Sequence, residues 1–344
     1  MSGSGEQPAG SADPALPRPA TPEPGATGEA RAGTPAGAAG ASAALAPGTR
    51  KSGTPAGAAG TLRLGTRGSP LALRQAQLVA EAIVGSNVEI VVLRTGGDLG
   101  AGGDKRRWVD TIEAALLDRT IDLAVHSAKD LPAELGPGLA IAGAPAREDA
   151  RDALCGAHSI ASLPVGARVG TSSLRRRAQL VALRDDITVE EVHGNVDTRL
   201  RRLAAGDFDA IVLAAAGLRR LGRDGWRAAD ALVPAAGQGT LAIETRAGDP
   251  RVASAIAALR DAATERALEA ERALVRALGA GCDTPVGAHA HDLPDGRLAL
   301  RAFVGAPDGS EWIRDAVAAA GEPVALGETV AARLLACGAG TLLG

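Results

Sequence analysis

Short apolar runs alternate with amphipathic stretches along the chain from residue 61 onward. Residues 62–65 (LRLG) predict a strand, and the apolar spacing over residues 71–84 (LALRQAQLVAEAIV) predicts a helix. The next predicted elements are a strand at 88–94, a helix at 108–118 and a strand at 121–126. Strands that alternate with helices in this way are typical of βαβ units in a mostly parallel sheet. We therefore expect an α/β domain to begin near residue 61.

A second round of alternation starts at residue 167. Its predicted elements are strands at 167–170, 187–192 and 209–215 and helices at 173–184 and 195–206. After Gly239 the pattern changes. The predicted elements there are a strand at 240–246, a long helix at 263–281 with a glycine-rich end, a strand at 297–304 and a last helix near 327–336. In a chain of 344 residues we therefore expect three domains, two of them α/β and the last a small α+β domain.

Residues 1–60 consist mostly of Gly, Ala, Pro, Ser, Thr and Glu, and the octapeptide GTPAGAAG occurs at 33–40 and again at 53–60. Two copies of such a repeat cannot bury a core that would offset the entropy lost on ordering. The composition therefore predicts a disordered N-terminal tail, to which we assign no chemistry.

The charge balance is nearly even, with 37 Lys and Arg against 40 Asp and Glu. This balance argues against a general polyanion binder, and the scarcity of aromatic residues argues against a groove for single-stranded nucleic acid. No apolar run is long enough to span a bilayer, and the N-terminus lacks the pattern of a signal peptide. The cysteines, Cys155, Cys282 and Cys337, are too few and too widely spaced for a disulfide scaffold. We expect a cytoplasmic protein with reduced thiols that binds neither nucleic acid nor membrane.

Each α/β domain opens with a strand, a short turn and a helix. In the first domain the turn is residues 66–70, in which Ser69 is suited to cap the helix. In the second domain the turn is residues 171–173, and Arg175 and Arg176 follow it. A helix N-terminus beside arginine attracts carboxylates, although an ordinary cap explains either turn alone. Because ligands bind beyond the carboxyl ends of strands in such sheets, the two turns together predict a cleft for a small polycarboxylate.

Residues 124–132 (AVHSAKDLP) place His126, Lys129 and Asp130 just past a strand end, where a parallel sheet presents side chains to its cleft. A carboxylate near positive charge stays ionised, and it can stabilise a cation or move protons. A loop aspartate that caps the next turn fits the same pattern. On these residues alone both interpretations stay open.

Cys282 lies in a glycine-flanked turn, LGAGCDTPVG, after the long helix. A thiolate is a strong soft nucleophile, so covalent attachment of another group is chemically reasonable there. On the turn alone, a small buried cysteine is the simpler interpretation. His289 and His291 follow, but no second cysteine lies nearby, and we expect no metal site.

Eight motifs occur in order between residues 61 and 344. They are LGTRGSPLAL, AVHSAKDLP, REDARDAL, VGTSSLRRRAQL, GNVDTRL, AAAGLRRLG, PAAGQGTLAIE and GCDTPVGA. Together they resemble the hydroxymethylbilane synthase (porphobilinogen deaminase) family over essentially all of the chain after the tail. The resemblance implies an α/β fold of two periplasmic-binding-protein-like domains with mostly parallel sheets, plus a small C-terminal α+β domain. The implied boundaries are 61–146 with 240–258 for the first domain, 147–239 for the second and 262–344 for the third, which carries Cys282.

The resemblance also implies a transferase that condenses four porphobilinogen molecules stepwise, with release of ammonia, to hydroxymethylbilane in haem biosynthesis. A dipyrromethane cofactor would be thioether-linked to Cys282. Asp130, with Lys129 beside it, would be the catalytic acid/base for the cationic pyrrole and azafulvene species. The other cofactor-binding positions would be Asp98, Thr171, Ser173, Arg175, Arg176 and His193. Substrate carboxylates would bind Arg67, Ser69, Arg199 and Arg220. The expected state is a monomer that passes its product to uroporphyrinogen-III synthase.

Two features depart from the family pattern. The family usually has Arg before Gly-Asn, where this chain has His193, which lacks the guanidinium fork and is only partly charged near neutrality. The loop after Asp98, near residues 99–107, is shorter than the family's lysine-containing segment, with Lys105 as its nearest lysine and Trp108 in place of the usual Phe.

These departures leave one alternative: a degenerate, non-catalytic relative that binds a small polycarboxylate in the interdomain cleft. The presence of both Cys282 and Asp130 favours the enzyme, because a mere binder needs neither a thiol nor an acid.

Overall fold

The computed structural model describes residues 60–94, 106–281 and 283–343. The predicted tail lies outside these ranges except for Gly60. Most of the predicted short loop, together with Asp98 and Cys282, also lies outside them.

Strands and helices alternate through the described chain. The strands are β1 (Thr61–Arg67), β2 (Asn87–Leu93), β3 (Leu123–Ser127), β4 (Leu139–Gly143), β5 (Asp152–Cys155), β6 (Arg168–Gly170), β7 (Thr188–Glu190), β8 (Ala210–Ala214), β9 (Trp226–Ala228), β10 (Leu241–Arg246), β11 (Val286–Asp292), β12 (Leu298–Gly305) and β13 (Trp312–Ala319). The α-helices are α1 (Pro70–Ala82), α2 (Arg106–Leu117), α3 (Leu174–Leu183), α4 (Val196–Ala204), α5 (Ala215–Arg220), α6 (Pro250–Ile256), α7 (Ala262–Ala277), α8 (Pro323–Ala336) and α9 (Ala339–Leu343). Among the described residues, no helix combines the length and the apolar character needed to cross a membrane.

The first two sheets share one architecture. The first has the strand order β2-β1-β3-β10-β4 and the second the order β7-β6-β8-β5-β9. In the first sheet β10 runs antiparallel to β3 and β4, and in the second β5 runs antiparallel to β8 and β9. The prediction of two α/β domains with mostly parallel sheets is thus confirmed. The hydrophobic pattern did not reveal the reversed strands, because a strand buried on both faces reads alike in either direction.

The reversed strand of each sheet is reached by a segment that crosses from the other sheet. Residues 144–151 lead from β4 to β5, and residues 229–240 lead from β9 to β10. The two crossing segments are joined by hydrogen bonds, including Glu148 N to Gly239 O at 3.2 Å. Gly239 has φ +91°, and a Cβ there would overlap the Glu148 carbonyl, so only glycine allows this approach.

Capping residues set where the helices around these sheets begin. Ser69 caps α1 by accepting a hydrogen bond from Ala72 N at 3.3 Å, as its position in the sequence predicts. Ser173 caps α3 in the same way and accepts from Arg176 N at 3.4 Å. Both caps lie at the carboxyl ends of the preceding strands, β1 and β6, which is the edge where the cleft was expected.

The third sheet is antiparallel, in the order β11-β12-β13, and packs on α7 and α8. Helix α7 begins after Asp261, which accepts from Thr264 N at 2.7 Å. It ends at Ala277 rather than at the predicted 281, because the chain turns at Gly279 with φ +62°. A Cβ at Gly327 of α8 would overlap the Ala270 carbonyl of α7, so this glycine allows the two helices to pack closely. The predicted small α+β domain is confirmed.

Candidate active site

The turn after β3 places Lys129 and Asp130 together at the carboxyl end of that strand. Residues 128–130 form a single 3-10 turn, and Ala128 N donates to Thr240 O at 3.0 Å, just before β10. Asp130 is half-buried, and its carboxylate forms no hydrogen bond or close ion pair with any described residue. This carboxylate is therefore available to a ligand.

Lys129 extends toward the crossing segment 229–240. Its Nζ donates to Gln238 Oε1 at 3.2 Å. Burial, and next the positive charge of Arg176, lower the pKa of Lys129 to about 7. An amine with such a pKa can both accept and release a proton near neutrality.

A fully buried carboxylate, Asp152 on β5, organises the second domain's side of the site. Arg175 Nη1 donates to Asp152 Oδ2 at 2.7 Å, and Arg176 Nε donates to Asp152 Oδ1 at 2.9 Å. Gln238 Nε2 donates to the same Oδ1 at 2.9 Å. Burial alone would raise the pKa of Asp152, but the two guanidinium groups hold it well below its usual range.

Positive charge exceeds negative charge where the two domains meet. Burial is the largest cause of the lowered pKa values of Lys129 and Arg199, and the charge of Arg176 is the next cause for both. Lys129, Arg176 and Arg199 are therefore close enough to interact electrostatically. Arg199 Nε donates to Gly194 O at 2.8 Å, which holds the Nε end of the guanidinium group in place. Asp152 neutralises only part of this charge. The surroundings therefore favour an anionic ligand with more than one carboxylate.

Arg175 faces inward rather than toward the cleft. Both of its Nη atoms are used, since Nη1 also donates to Val233 O at 2.6 Å and Nη2 donates to Asp152. Its Nε is buried and has no hydrogen-bond partner among the described residues. Thr171 is buried behind it, and its hydroxyl accepts from Ser173 N at 3.2 Å.

Arg67, Ser69 and Arg220 lie on facing elements of the two domains. Arg67 ends β1, the parallel neighbour of β3, and Ser69 follows it; both are half-buried. Leu71 of α1 packs beside Gly217 of α5, the helix that ends with Arg220. Arg220 Nη2 donates to Gly239 O at 2.6 Å, and burial lowers its pKa to about 10.

His193 stands apart from this group. Its side chain is 74% exposed, and its Nε2 lies 2.9 Å from Glu191 Oε2, which is also exposed. The imidazole therefore pairs with a surface carboxylate of its own loop.

Helix α7, which leads toward position 282, is anchored to both sides of the site. Arg272 Nη2 donates to the carbonyls of Pro132 and Ala133, directly after the Lys129–Asp130 turn. The buried Glu271 accepts from Gly237 N at 2.6 Å and from Arg147 Nη1 at 2.7 Å. Cys282 and Asp98 lie outside the described residues, so their predicted roles stay predictions.

Asp152, Gln238 and Glu271 were not singled out from the sequence. Asp152 and Gln238 belong to the recognised motifs REDARDAL and PAAGQGTLAIE, which were the only available signal. Their partners lie far away along the chain, since Lys129 and Gln238 are 109 residues apart. Local periodicity carries no information about such contacts.

Two family models match the chain. "Porphobilinogen deaminase, dipyromethane cofactor binding domain" matches residues 62–254, and "Porphobilinogen deaminase, C-terminal domain" matches residues 266–336.

Curated relatives are similar over most of their length. A porphobilinogen deaminase from Roseiflexus sp. (strain RS-1) is 48% identical over 299 residues, covering 82% of this chain and 98% of the relative. A porphobilinogen deaminase from Syntrophobacter fumaroxidans is 47% identical over 305 residues, covering 82% and 96%. One from Deinococcus radiodurans is 45% identical over 303 residues, covering 82% and 98%. Among solved structures, a periplasmic substrate-binding protein from Coxiella burnetii is similar over 59% of this chain and 94% of its own, with 17% identity and a TM-score of 0.39, too low to bear on function.

Proposed function

The chain belongs to the porphobilinogen deaminase family, and on this premise we propose how its own residues synthesise hydroxymethylbilane. The enzyme is a transferase of tetrapyrrole biosynthesis that condenses porphobilinogen molecules and releases ammonia. The observation that carries the assignment of residues is that Lys129 interacts electrostatically with both Arg176 and Asp130, and that Arg176 also interacts with Arg199. The Asp130 carboxylate forms no hydrogen bond with any of the described residues.

Asp130 is the catalytic acid/base. Its carboxylate stabilises positive charge on the pyrrole as ammonia leaves and accepts a proton when the new carbon–carbon bond is complete. Lys129, with its pKa near 7, holds a proton that it can give to the departing amine.

The dipyrromethane cofactor fits the donors present. Its carboxylates require several cations in one neighbourhood, and Arg176 supplies one such cation from a fixed position on Asp152. Arg175 holds Asp152 in place, and Thr171 and Ser173 shape the start of α3. The remaining proposed cofactor positions are Asp98, which lies outside the described residues, and His193, which would have to leave its surface contact with Glu191 to reach the cofactor. The cofactor, when attached to Cys282, supplies the pyrrole that primes the growing chain.

Arg67, Ser69, Arg199 and Arg220 bind the acetate and propionate groups of the substrate. They come from the end of β1, the cap of α1, α4 and α5, and thus from both domains. Guanidinium groups pair with carboxylates through two parallel hydrogen bonds, which also fixes the orientation of the pyrrole.

We place the domains at 61–146 with 240–258, at 147–239 and at 262–344, following the way the strands are shared among the three sheets. The enzyme acts in the cytoplasm as a monomer and passes its linear product to uroporphyrinogen-III synthase.

Intact mass before and after brief exposure to porphobilinogen tests this proposal. We expect a protein heavier than its sequence by one dipyrrole, with further one-pyrrole steps after substrate. Cys282→Ser should have the bare sequence mass under both conditions, whereas Cys337→Ser, which removes an exposed free thiol, should behave as wild type. A wild-type protein of bare mass that does not change with substrate would favour the non-catalytic alternative.

A further inference from the structure

A buried pair of side chains behind the Lys129–Asp130 turn has no part in the chemistry described so far. His126 Nε2 of β3 lies 2.9 Å from Glu244 Oε2 of β10, and the side chains are 7% and 0% exposed. His126 is opposite Ala242 in the sheet and Glu244 is opposite Ala124, so the two occupy diagonal positions on one face. Burial, and next the charge of Glu244, raise the pKa of Glu113 on α2, so Glu113 interacts electrostatically with the pair.

The buried Glu244 carboxylate depends on His126 as its partner. Neither oxygen of Glu244 has a hydrogen-bond donor among the described residues, and the imidazole N–H is not aimed along the line to Oε2. A buried carboxylate is costly unless a donor or an opposite charge lies beside it. Among the described residues, His126 is the side chain that pairs with Glu244, at 2.9 Å. Glu113 and Asp110 bring only further negative charge.

The pair lies where movement would reach the catalytic turn directly. From His126, β3 continues through Ser127 into the turn, whose first residue bonds to Thr240 just ahead of β10. On the other strand, Glu244 follows the segment that presents Gln238 to Lys129. The His126–Glu244 contact therefore fixes β3 against β10 next to the two residues that carry proton transfer.

We propose that His126 is a positioning residue for the Lys129–Asp130 turn and that it acts through its buried contact with Glu244. This inference rests on the catalytic role proposed for Asp130. Every condensation uses the same turn, and a displacement of about 1 Å at a reacting group costs on the order of 100-fold in rate.

The first test is His126→Gln, which leaves Glu244 buried and unpaired. We expect kcat per cofactor-loaded enzyme to fall by about 30-fold or more, while KM for porphobilinogen stays within about 3-fold. The matched control is Thr245→Val on β10, next to Glu244. It loses the buried hydrogen bond from Thr245 Oγ1 to Asp122 O (2.9 Å), at the end of β3 away from the catalytic turn. This control should unfold at lower urea concentration and keep its kcat.

The second test is His126→Gln combined with Glu244→Gln, which removes the unpaired charge and leaves two amides that can bond across the strands. We expect this double variant to fold even if the single variant does not and to recover kcat to within about 5-fold of wild type. Unchanged kcat in His126→Gln, an equal loss of kcat in Thr245→Val, or a folded double variant no faster than the single one would each overturn the proposal. Asp130→Asn, measured in parallel, separates the two proposals. Wild-type turnover in that variant would refute the role of Asp130. It would leave the His126–Glu244 pairing to be judged by the double variant.

Discussion

The two α/β domains have the same strand order but bury opposite excess charge. The reversed strand of each sheet carries a fully buried carboxylate, Glu244 on β10 and Asp152 on β5. In the second domain Asp152 binds two guanidinium groups, so positive charge is in excess. In the first domain Glu244 and Glu113 share the single imidazole of His126, so negative charge is in excess. The charge distribution in the second domain suits the proposed binding of carboxylates, and that in the first domain suits the proposed proton transfer.

The largest expected effect follows from replacing the acid of the first domain. Asp130→Asn should lower kcat by about 10²–10⁴-fold, because a positioned acid/base contributes that much, while KM changes little. Steady-state kinetics on cofactor-loaded protein measure both constants. A parallel rise in KM would place Asp130 among the binding groups and weaken the contrast drawn between the two domains.

In the second domain the largest effect should be on stability. Asp152→Asn leaves Arg175 and Arg176 buried without a counter-charge, which should lower the free energy of unfolding by about 3–5 kcal/mol. Urea unfolding followed by circular dichroism measures the change. Asp224→Asn removes an exposed carboxylate from the same domain and should leave the midpoint unchanged. Equal stability of both variants would mean that the excess positive charge needs no buried partner.

Binding should respond to a cation of the second domain that reaches the cleft. Arg199→Gln should raise KM about tenfold, the usual cost of losing a hydrogen bond to a charged group, with a smaller change in kcat. Arg201→Gln, exposed on the same helix, is the matched control and should keep the wild-type KM. A loss confined to kcat would contradict the assignment of Arg199 to substrate carboxylates.

The negative charge of the first domain predicts a dependence on pH. Burial, and next the charge of Glu244, raise the pKa of Glu113 in the folded state. At a pH between the pKa of the unfolded state and that of the folded state, the folded protein keeps a proton on Glu113 that the unfolded protein has lost. Stability contributed by this carboxyl therefore falls as pH rises through that window, and Glu113→Gln, which cannot titrate, should gain stability relative to wild type from acid to neutral pH. Urea unfolding at several pH values measures the trend, with the exposed Glu134→Gln as control. A difference that does not grow with pH would contradict the raised pKa.

The smallest expected effect concerns His193. Because its side chain is exposed and pairs with Glu191, His193→Arg should preserve activity or raise it by no more than about threefold. Initial rates at saturating porphobilinogen measure this. If the variant is inactive, the imidazole has a role in the cleft that its surface position does not suggest.

The hydrophobic pattern predicted most of the strands and helices of both domains, because burial on one helix face or along a whole strand leaves a local periodicity. It did not predict β4, β5, β9, β11 or β13, which are short or lack a continuous apolar run. Ser69 and Ser173 were found because caps are local. Asp152 and Glu244 were not, since each becomes meaningful only beside a side chain on another element. The family motifs identified the reaction, but the charge balance around the catalytic residues could be determined only from the contacts in the structure.

The path of the chain through the two sheets has a consequence for synthesis on the ribosome. The second sheet is contiguous, from β5 to β9, whereas the first sheet starts at β1 and needs β10, which is made after the whole second sheet. β10 lies between β3 and β4, so until it emerges the earlier half of the molecule has a gap at its centre. The nascent chain therefore completes its two α/β domains in the reverse of the order in which they begin, and during that interval β3 and β4 have exposed edges that are prone to incorrect pairing.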